Sequence, residues 1–547
     1  MSRFRWIVWV LVALLPLAFL AVFFAWPVLG MLARGLVDDQ GSLDLSGFGE
    51  VFGTARTWRI IGHTLFMATA GTLGSLVLGI PGAYILYRTQ FPGREMLRSV
   101  ATVPFVLPTV VVGVAFRAVF GPGTSLAFLD QTTTAVIIAM MFFNYSVVIR
   151  QVGSLWQVLD PRSTEAARML GASPARAFFT VTLPALRPAI AGSAGLVFLF
   201  CSTAYGLVRS LGAPGVGTLE TEVFRQTKTF LDLRTAAVLS MIQCVIVVIS
   251  VIITQRTGSS QAARLHQAHR VRLTRTDWFP LTITLAVVLG LILTPLLTLV
   301  ARSLTVDGEF STRHYQLLAT HSGTGFAGGA TVVEALDHSL RIALDATIVT
   351  VLLAIPLALL LTRPTHSPAV RSLQRLIDGA FMLPLGVSAV TIGFGFLISL
   401  QPAFPHLAQS GLLVPLAQAV VALPLVVRTL VPVLAAVDPA QREAATMLGA
   451  SPVRVIATID GPYVVRSLGL AAGFGFAVSL GEFGATSFLA SPSYQTLPVV
   501  IVQLLSRPGS DNFGMAMAGS VVLAVLSAGI LLICERLRPA GVKERTS

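Results

Sequence analysis

Apolar and polar positions along this chain fall into long blocks, unlike the short amphipathic periods of a soluble fold. Apolar runs of about 20 residues recur from one end to the other, separated by polar stretches. A helix of that length covers about 30 Å, the thickness of a bilayer's hydrocarbon core. The runs are too long for barrel strands, so helical spans are expected. About twelve are predicted, at 6–29, 60–87, 100–120, 134–156, 188–210, 236–254, 279–301, 339–361, 381–400, 412–435, 467–490 and 513–534. The expected fold class is an all-α membrane protein lying in a lipid bilayer. The first run follows Arg3 and Arg5, which raises a cleaved signal peptide as the rival. The run is longer than a signal core and no small-x-small site follows it, so it reads as a retained span.

Only 12% of the 547 residues are charged, about half the share in a soluble domain. The net charge is nevertheless +13, which invites a nucleic-acid reading. The distribution of the charges excludes it. With the N-terminus inside, arginines gather in alternate loops: Arg88, Arg94 and Arg98; Arg162, Arg168, Arg176 and Arg187; Arg256, Arg264, Arg270, Arg272 and Arg275; Arg363, Arg371 and Arg375; and Arg536, Arg538, Lys543 and Arg545. The other loops hold most of the acids, among them Asp38, Asp39, Asp44, Glu50, Glu220, Glu222, Asp307 and Glu309. This positive-inside pattern predicts both termini in the cytoplasm. Cys201, Cys244 and Cys534 lie in or beside apolar runs, are odd in number and have no metal-site spacing, so they read as packing residues.

The chain repeats itself. Glu165–Pro174 reads EAARMLGASP and Glu443–Pro452 reads EAATMLGASP, 278 positions apart and differing only at Arg168 and Thr446. Around them His63-Thr64-Leu65 matches His338-Ser339-Leu340, Pro81 matches Pro356, Arg88 matches Arg363, Pro104 matches Pro384, and Asp160-Pro161 matches Asp438-Pro439. The division read from this is a first repeat over 1–255, a polar, basic linker over 256–277 and a second repeat over 278–547. Six predicted spans separate the two decapeptides, which places both on one membrane face and makes the repeat parallel.

Each decapeptide sits in a loop too long for a mere connection, 160–187 and 438–466. Locally it spells a helix, a turn and a second helix. Asp160 and Asp438 suit an N-cap, and Pro161 and Pro439 suit the first position. Glu165 and Glu443 lie near the positive end of the dipole, and Ala166, Ala167, Ala444 and Ala445 are strong helix formers. Gly171 and Gly449 suit a left-handed stop. Ser173-Pro174 and Ser451-Pro452 then cap and open the next helix. Two rigid amphipathic elbows are therefore predicted. A solvated loop would not need to keep nine residues in ten.

This pattern resembles the EAA loop of type-1 ABC importer permeases: Glu-Ala-Ala, three residues, Gly, nine residues, Ile, one residue, Leu-Pro. The first copy has Val181 at the Ile position and then Leu183-Pro184; the second has Ile459 and then Gly461-Pro462, a departure at Gly461. Each half of the chain looks like one permease domain. The resemblance implies that the elbows are coupling helices docked on a separate ATPase, with two ATPase copies, an extracytoplasmic solute-binding protein and a place in the bacterial cytoplasmic membrane. It implies that ATP is used by the partner subunit and that this chain binds no cofactor. Neither Lys228 nor Lys543 follows Gly, so no Walker A loop is present.

The fused pair also looks like the thiamine and ferric-iron importer branch, through Ser479–Thr486 (SLGEFGAT) followed by Thr496-Leu497-Pro498. Both solutes are cationic. Glu482, with Phe483 and the first-half Tyr205, is the candidate pathway for a cation, by charge and cation–π attraction. The alternative is that Glu482 pairs structurally with a basic residue such as Arg209. Asp345 is expected to pair with Arg341 on one helix face. His63 and His338 read as interfacial rather than metal-binding, and no metal cluster is expected. Two other function classes compete with this reading. A secondary transporter with two parallel six-helix halves fits the repeat but has no ATPase to dock. A membrane enzyme lacks any constellation of catalytic groups.

Overall fold

The computed structural model describes residues 14–37, 41–212, 217–257, 271–274, 277–320, 329–363, 365, 367–491 and 494–536. Arg3, Arg5, the start of the first span, Asp38, Asp39, most of the 256–277 linker with Arg264, Arg270 and Arg275, and Arg538, Lys543 and Arg545 lie outside these residues.

Helices dominate. Ten are long and apolar enough to cross a membrane among the described residues, or up to twelve if two bent pairs each count as one span. The bent pairs correct the expectation of straight spans at 100–120 and 381–400. Arg94–Val106 turns through 109° into Thr109–Phe120, and Pro368–Gly386 turns through 95° into Ala389–Ala403. The first break falls at Leu107, extended because Pro108 follows it. The second falls at Val387 and is closed by Ser388, whose side chain accepts from Thr391 N at 3.0 Å. Thr109–Phe120 has 12 residues, about 18 Å of helix, too short to cross alone. A second correction concerns where spans begin. Pro174–Ser202 and Pro452–Leu480 run unbroken from the elbows into the apolar region, so these spans start earlier than 188 and 467. The extra turns carry Arg176, Arg187, Arg454 and Arg466, which hide the continuity from an apolar-run reading.

The chain forms two compact units. One comprises Met1–Gly49, Val223–Ser240 and His314–Ser547; the other comprises Glu50–Glu222 and Met241–Arg313. Each unit thus takes most of one repeat and the first span of the other. In the first unit the core joins Phe19, Phe24, Leu357, Phe381, Phe396, Leu423 and Leu430. Leu14–Leu36 belongs there because its aromatic stripe finds aromatic partners: Phe23 lies 6.3 Å from Phe396, and Trp26 meets Phe404 edge-on at 5.8 Å.

In the second unit Ala55–Ala83 packs on Thr133–Trp156 and Leu183–Ser202. Close approach is set by small residues: a Cβ at Gly79 would lie 2.5 Å from Val148 Cγ1, and one at Gly82 would overlap the Tyr145 hydroxyl. The Trp278–Ser303 span is tied to this unit at both ends. Tyr84 donates to Asp277 at 3.0 Å, and Arg302 donates to the carbonyls of Ala118 and Pro122 at 3.0 and 3.1 Å. The described end of the linker, Val271–Arg272, pairs parallel with Thr89–Gln90. Arg341 pairs with Asp337 at 2.9 Å, not with Asp345 as expected. The acid lies one turn N-terminal to the arginine there, the favourable order on a helix.

Candidate functional site

The two decapeptides fold alike. Arg162–Met169 and Pro439–Met447 are the first helices of the two elbows. Asp160 Oδ1 accepts from Arg162 N, and Asp438 Oδ1 accepts from Ala440 N, both at 2.9 Å. Each helix ends in the same double-bonded turn. Gly171 N donates to Arg168 O at 3.0 Å and Ala172 N to Ala167 O at 3.1 Å; Gly449 N and Ala450 N repeat this at 3.0 Å on Thr446 O and Ala445 O. The turn requires a left-handed residue, and Gly171 and Gly449 have φ of +87° and +82°. Ser173 and Ser451 then accept from Arg176 N and Arg454 N at 3.3 Å, with Pro174 and Pro452 opening the next helix.

The caps shape the elbow, and the burial pattern shows what it presents. Glu165, Ala166, Glu443 and Ala444 are exposed, with Ala167 and Ala445 half-buried beneath them. At the tip of each elbow stand two large apolar residues, Met169 and Leu170 at 84% and 90% exposure and Met447 and Leu448 at 88% each. At each tip, then, an apolar pair stands at the end of a polar projection, held out from its own fold.

Behind each elbow a short π-helical turn, Phe178–Thr182 or Ile456–Asp460, leads into the long span. Asp460 is fully buried there. Its Oδ1 accepts from Arg442 Nε at 2.9 Å and its Oδ2 from Arg363 Nη2 at 2.5 Å. Burial pulls the Arg363 guanidinium below its ordinary pKa, and the Asp460 charge opposes that pull.

At the far end of the same span, Glu482 sits in the break between Gly461–Leu480 and Thr486–Leu489. Its Oε1 accepts from Ala485 N at 2.7 Å, and its Oε2 accepts from Thr486 N at 3.0 Å and the Thr486 hydroxyl at 2.6 Å. Backbone amides and a hydroxyl thus hydrogen-bond both oxygens of this carboxylate, because the break leaves N–H groups with no helical partner. Gln418 Nε2 extends the network, donating to Thr486 Oγ1 at 3.1 Å. Phe483 and Tyr205, in separate units, are both buried. Among the described residues no group of three metal-ligating side chains occurs.

Residues 75–264 match the family described as the binding-protein-dependent transport system inner membrane component. The putative 2-aminoethylphosphonate transport system permease protein of Salmonella typhi is 30% identical over 247 residues, 43% of this chain and 86% of that one. This chain belongs to that permease family. A thiamine transport system permease protein of Brucella suis is 25% identical over 541 residues, covering 95% of this chain and 94% of its own. A bacterial ABC transporter that imports the acidic polysaccharide alginate aligns with 47% of this chain and 96% of its own at 16% identity and a TM-score of 0.40. By that family membership the chain is a permease of the type-1 ABC importer kind, a multi-pass inner-membrane component of a binding-protein-dependent transport system.

The permease contains functional contacts that sequence reading missed. His63 Nδ1 donates to Gly217 O at 2.9 Å, and His338 Nδ1 donates to Gln495 O at 3.3 Å. Beside them, Thr64 Oγ1 accepts from Leu219 N at 3.0 Å and Ser339 Oγ from Leu497 N at 2.7 Å. The repeated His-Thr/Ser pair therefore pins the segment from Gly217 to Leu219 in one half and from Gln495 to Leu497 in the other. The repetition was visible; the partner, more than 150 residues away, was not. The pairs Arg442–Asp460 and Gln418–Thr486, 18 and 68 residues apart, were missed because each joins two different helices. Aligning the halves with a fixed offset of 278 shows Thr164 and Thr182 against Arg442 and Asp460, a paired change that would have flagged the contact.

Proposed function

We propose that this permease moves a small cationic solute, thiamine or ferric iron, from a binding protein into the cytoplasm, and that its two elbows are where two ATPase copies dock. The elbow reading is carried by one observation: both elbows hold a short helix that ends in the same left-handed glycine turn and whose exposed apolar pair, Met169-Leu170 or Met447-Leu448, has no core to join. On this reading both termini and both elbows lie in the cytoplasm, ATP is bound only by the partner, and Glu165, Ala166, Ala167, Gly171, Ser173 and Pro174 with their second-copy equivalents form the coupling surface.

Thiamine is favoured because the relatives named for thiamine match both repeats, whereas the 2-aminoethylphosphonate relative matches over less than half the chain. Tyr205, Phe483 and Glu482 are the proposed pathway residues. A cation approaching Glu482 has to compete with three donors already on its carboxylate. The test is uptake into proteoliposomes holding the permease, its ATPase and its binding protein. ATP-dependent uptake of thiamine, unaffected by chelated ferric iron or 2-aminoethylphosphonate, is the expected result. Uptake of 2-aminoethylphosphonate instead would overturn the cationic reading and leave the elbows standing.

A further inference from the structure

The two elbows share their sequence, caps and turn, yet they are fastened to the membrane domain differently. In the first, the Thr164 and Thr182 hydroxyls lie 3.3 Å apart, a neutral, half-buried link between the elbow helix and the span that follows. The same two positions in the second copy are Arg442 and Asp460, both buried. Arg442 grips Asp460 Oδ1 through Nε and Nη2 at 2.9 Å, and Nη2 also reaches the Leu434 carbonyl at 3.0 Å. Asp460 Oδ2 takes Arg363 at 2.5 Å.

One carboxylate therefore connects four elements: the end of Val332–Leu361 through Arg363, the end of Leu413–Ala435 through Arg442 and Leu434, the elbow helix Pro439–Met447, and the root of Pro452–Leu480. A buried carboxylate held by two guanidiniums has well-defined geometry, and loss of the acid leaves a buried and a half-buried cation facing each other. A Thr–Thr hydrogen bond imposes neither constraint.

We infer that Asp460 is a positioning residue for energy coupling. It makes the second elbow a rigid arm that moves three spans together when the ATPase moves it, while the first elbow follows on a compliant link. This inference rests on the docking of both elbows on the ATPase.

The experiment uses the assembled transporter in proteoliposomes and reads two quantities, solute moved per ATP hydrolysed and amide hydrogen exchange across both elbows. The variants are Asp460→Asn, the double variant Arg442→Thr with Asp460→Thr, and Thr164→Val. The double variant installs the pair that the first copy already uses and removes both charges, so it keeps the test open where Asp460→Asn fails to fold. The expected result is that the unsubstituted second elbow exchanges several-fold more slowly than the first. The double variant erases that difference and lowers solute moved per ATP several-fold with hydrolysis retained. Thr164→Val changes neither quantity in this way. Equal exchange in the two unsubstituted elbows, or an unchanged transport-to-hydrolysis ratio in the double variant, overturns the inference. Protection of both elbows on adding the ATPase is read separately. Its absence overturns the docking reading and this inference with it, whereas protection with an unaffected double variant overturns this inference alone.

Discussion

Replacing Gly171 and Gly449 together probes the elbow at the point where its shape depends on one residue. Both have φ above +80°. An added Cβ at either position meets nothing within 4 Å of its own chain, so the cost of substitution is conformational and not steric. A left-handed L-residue costs roughly 1–2 kcal/mol, more when β-branched and less for Asn. The two turn hydrogen bonds at each site, exposed at the elbow tip, are worth about 0.5–1.5 kcal/mol each. The strain is thus comparable with what holds the turn, and 1–2 kcal/mol shifts the fraction of correctly bent elbows by about 5- to 30-fold. Transport should fall in the order Gly, Asn, Ala, Val, with membrane insertion unchanged. The assay is ATP-dependent uptake normalised to permease level, with ATPase co-purification measured alongside. Full transport by the double Val variant would refute the requirement for the turn. Loss by Asn equal to that by Val would show that bulk at a partner surface matters, and not backbone shape.

Four further outcomes are expected. Glu482→Gln keeps an acceptor on one side but turns an NH₂ toward a backbone N–H on the other, so it should lower stability by about 2–3 kcal/mol, read as a lowered unfolding temperature, and as a pathway residue it should also change solute preference; an unchanged preference would leave the carboxylate a structural group and overturn its place in the pathway. Ser339→Ala strands the buried Leu497 N–H and should cost about 1–3 kcal/mol, and Ser339→Thr should restore it because the first copy uses Thr64 in that role. Met447→Ser with Leu448→Ser should weaken ATPase co-purification without moving the unfolding temperature, since neither side chain is packed in the permease. Arg341→Gln should change stability by less than about 0.5 kcal/mol, because its pair with Asp337 is exposed; a larger loss, measured in the same unfolding assay, would show that the pair holds more than the helix surface.

Much of this protein could be read from its sequence because the devices involved are local. Span length follows from bilayer thickness, and the elbows follow from caps, prolines and a glycine that act within a few residues of themselves. Gly171 and Ser173, repeated at Gly449 and Ser451, have the expected geometry, as does Asp438 at its N-cap; Asp160 falls one residue outside, with Pro161 at the N-cap and Arg162 N donating to the Asp160 carboxylate. The breaks at Leu107 and Val387 were missed because an unbroken apolar run does not show that it bends. The extension of two spans back to Pro174 and Pro452 was missed because helix continuity through arginine-bearing turns is not a hydropathy signal.

What only the tertiary structure decided is which distant groups meet. The Asp460 carboxylate takes its donors from 18 and 97 residues away, and the Leu497 amide finds its acceptor 158 residues away. Glu482 is the instructive exception: all its partners lie within four residues, yet a carboxylate inside an apolar run suggested a charged partner. Its hydrogen-bond partners became visible only when the chain was seen to break there and expose amides that need an acceptor. Likewise the first span of each repeat joins the compact unit built mainly from the other, because side-chain complementarity such as Phe23 on Phe396, and not order along the chain, selects the packing partner. Short-range chemistry is written in the sequence by neighbours; long-range chemistry is written by residues whose relation exists only once the fold has brought them together.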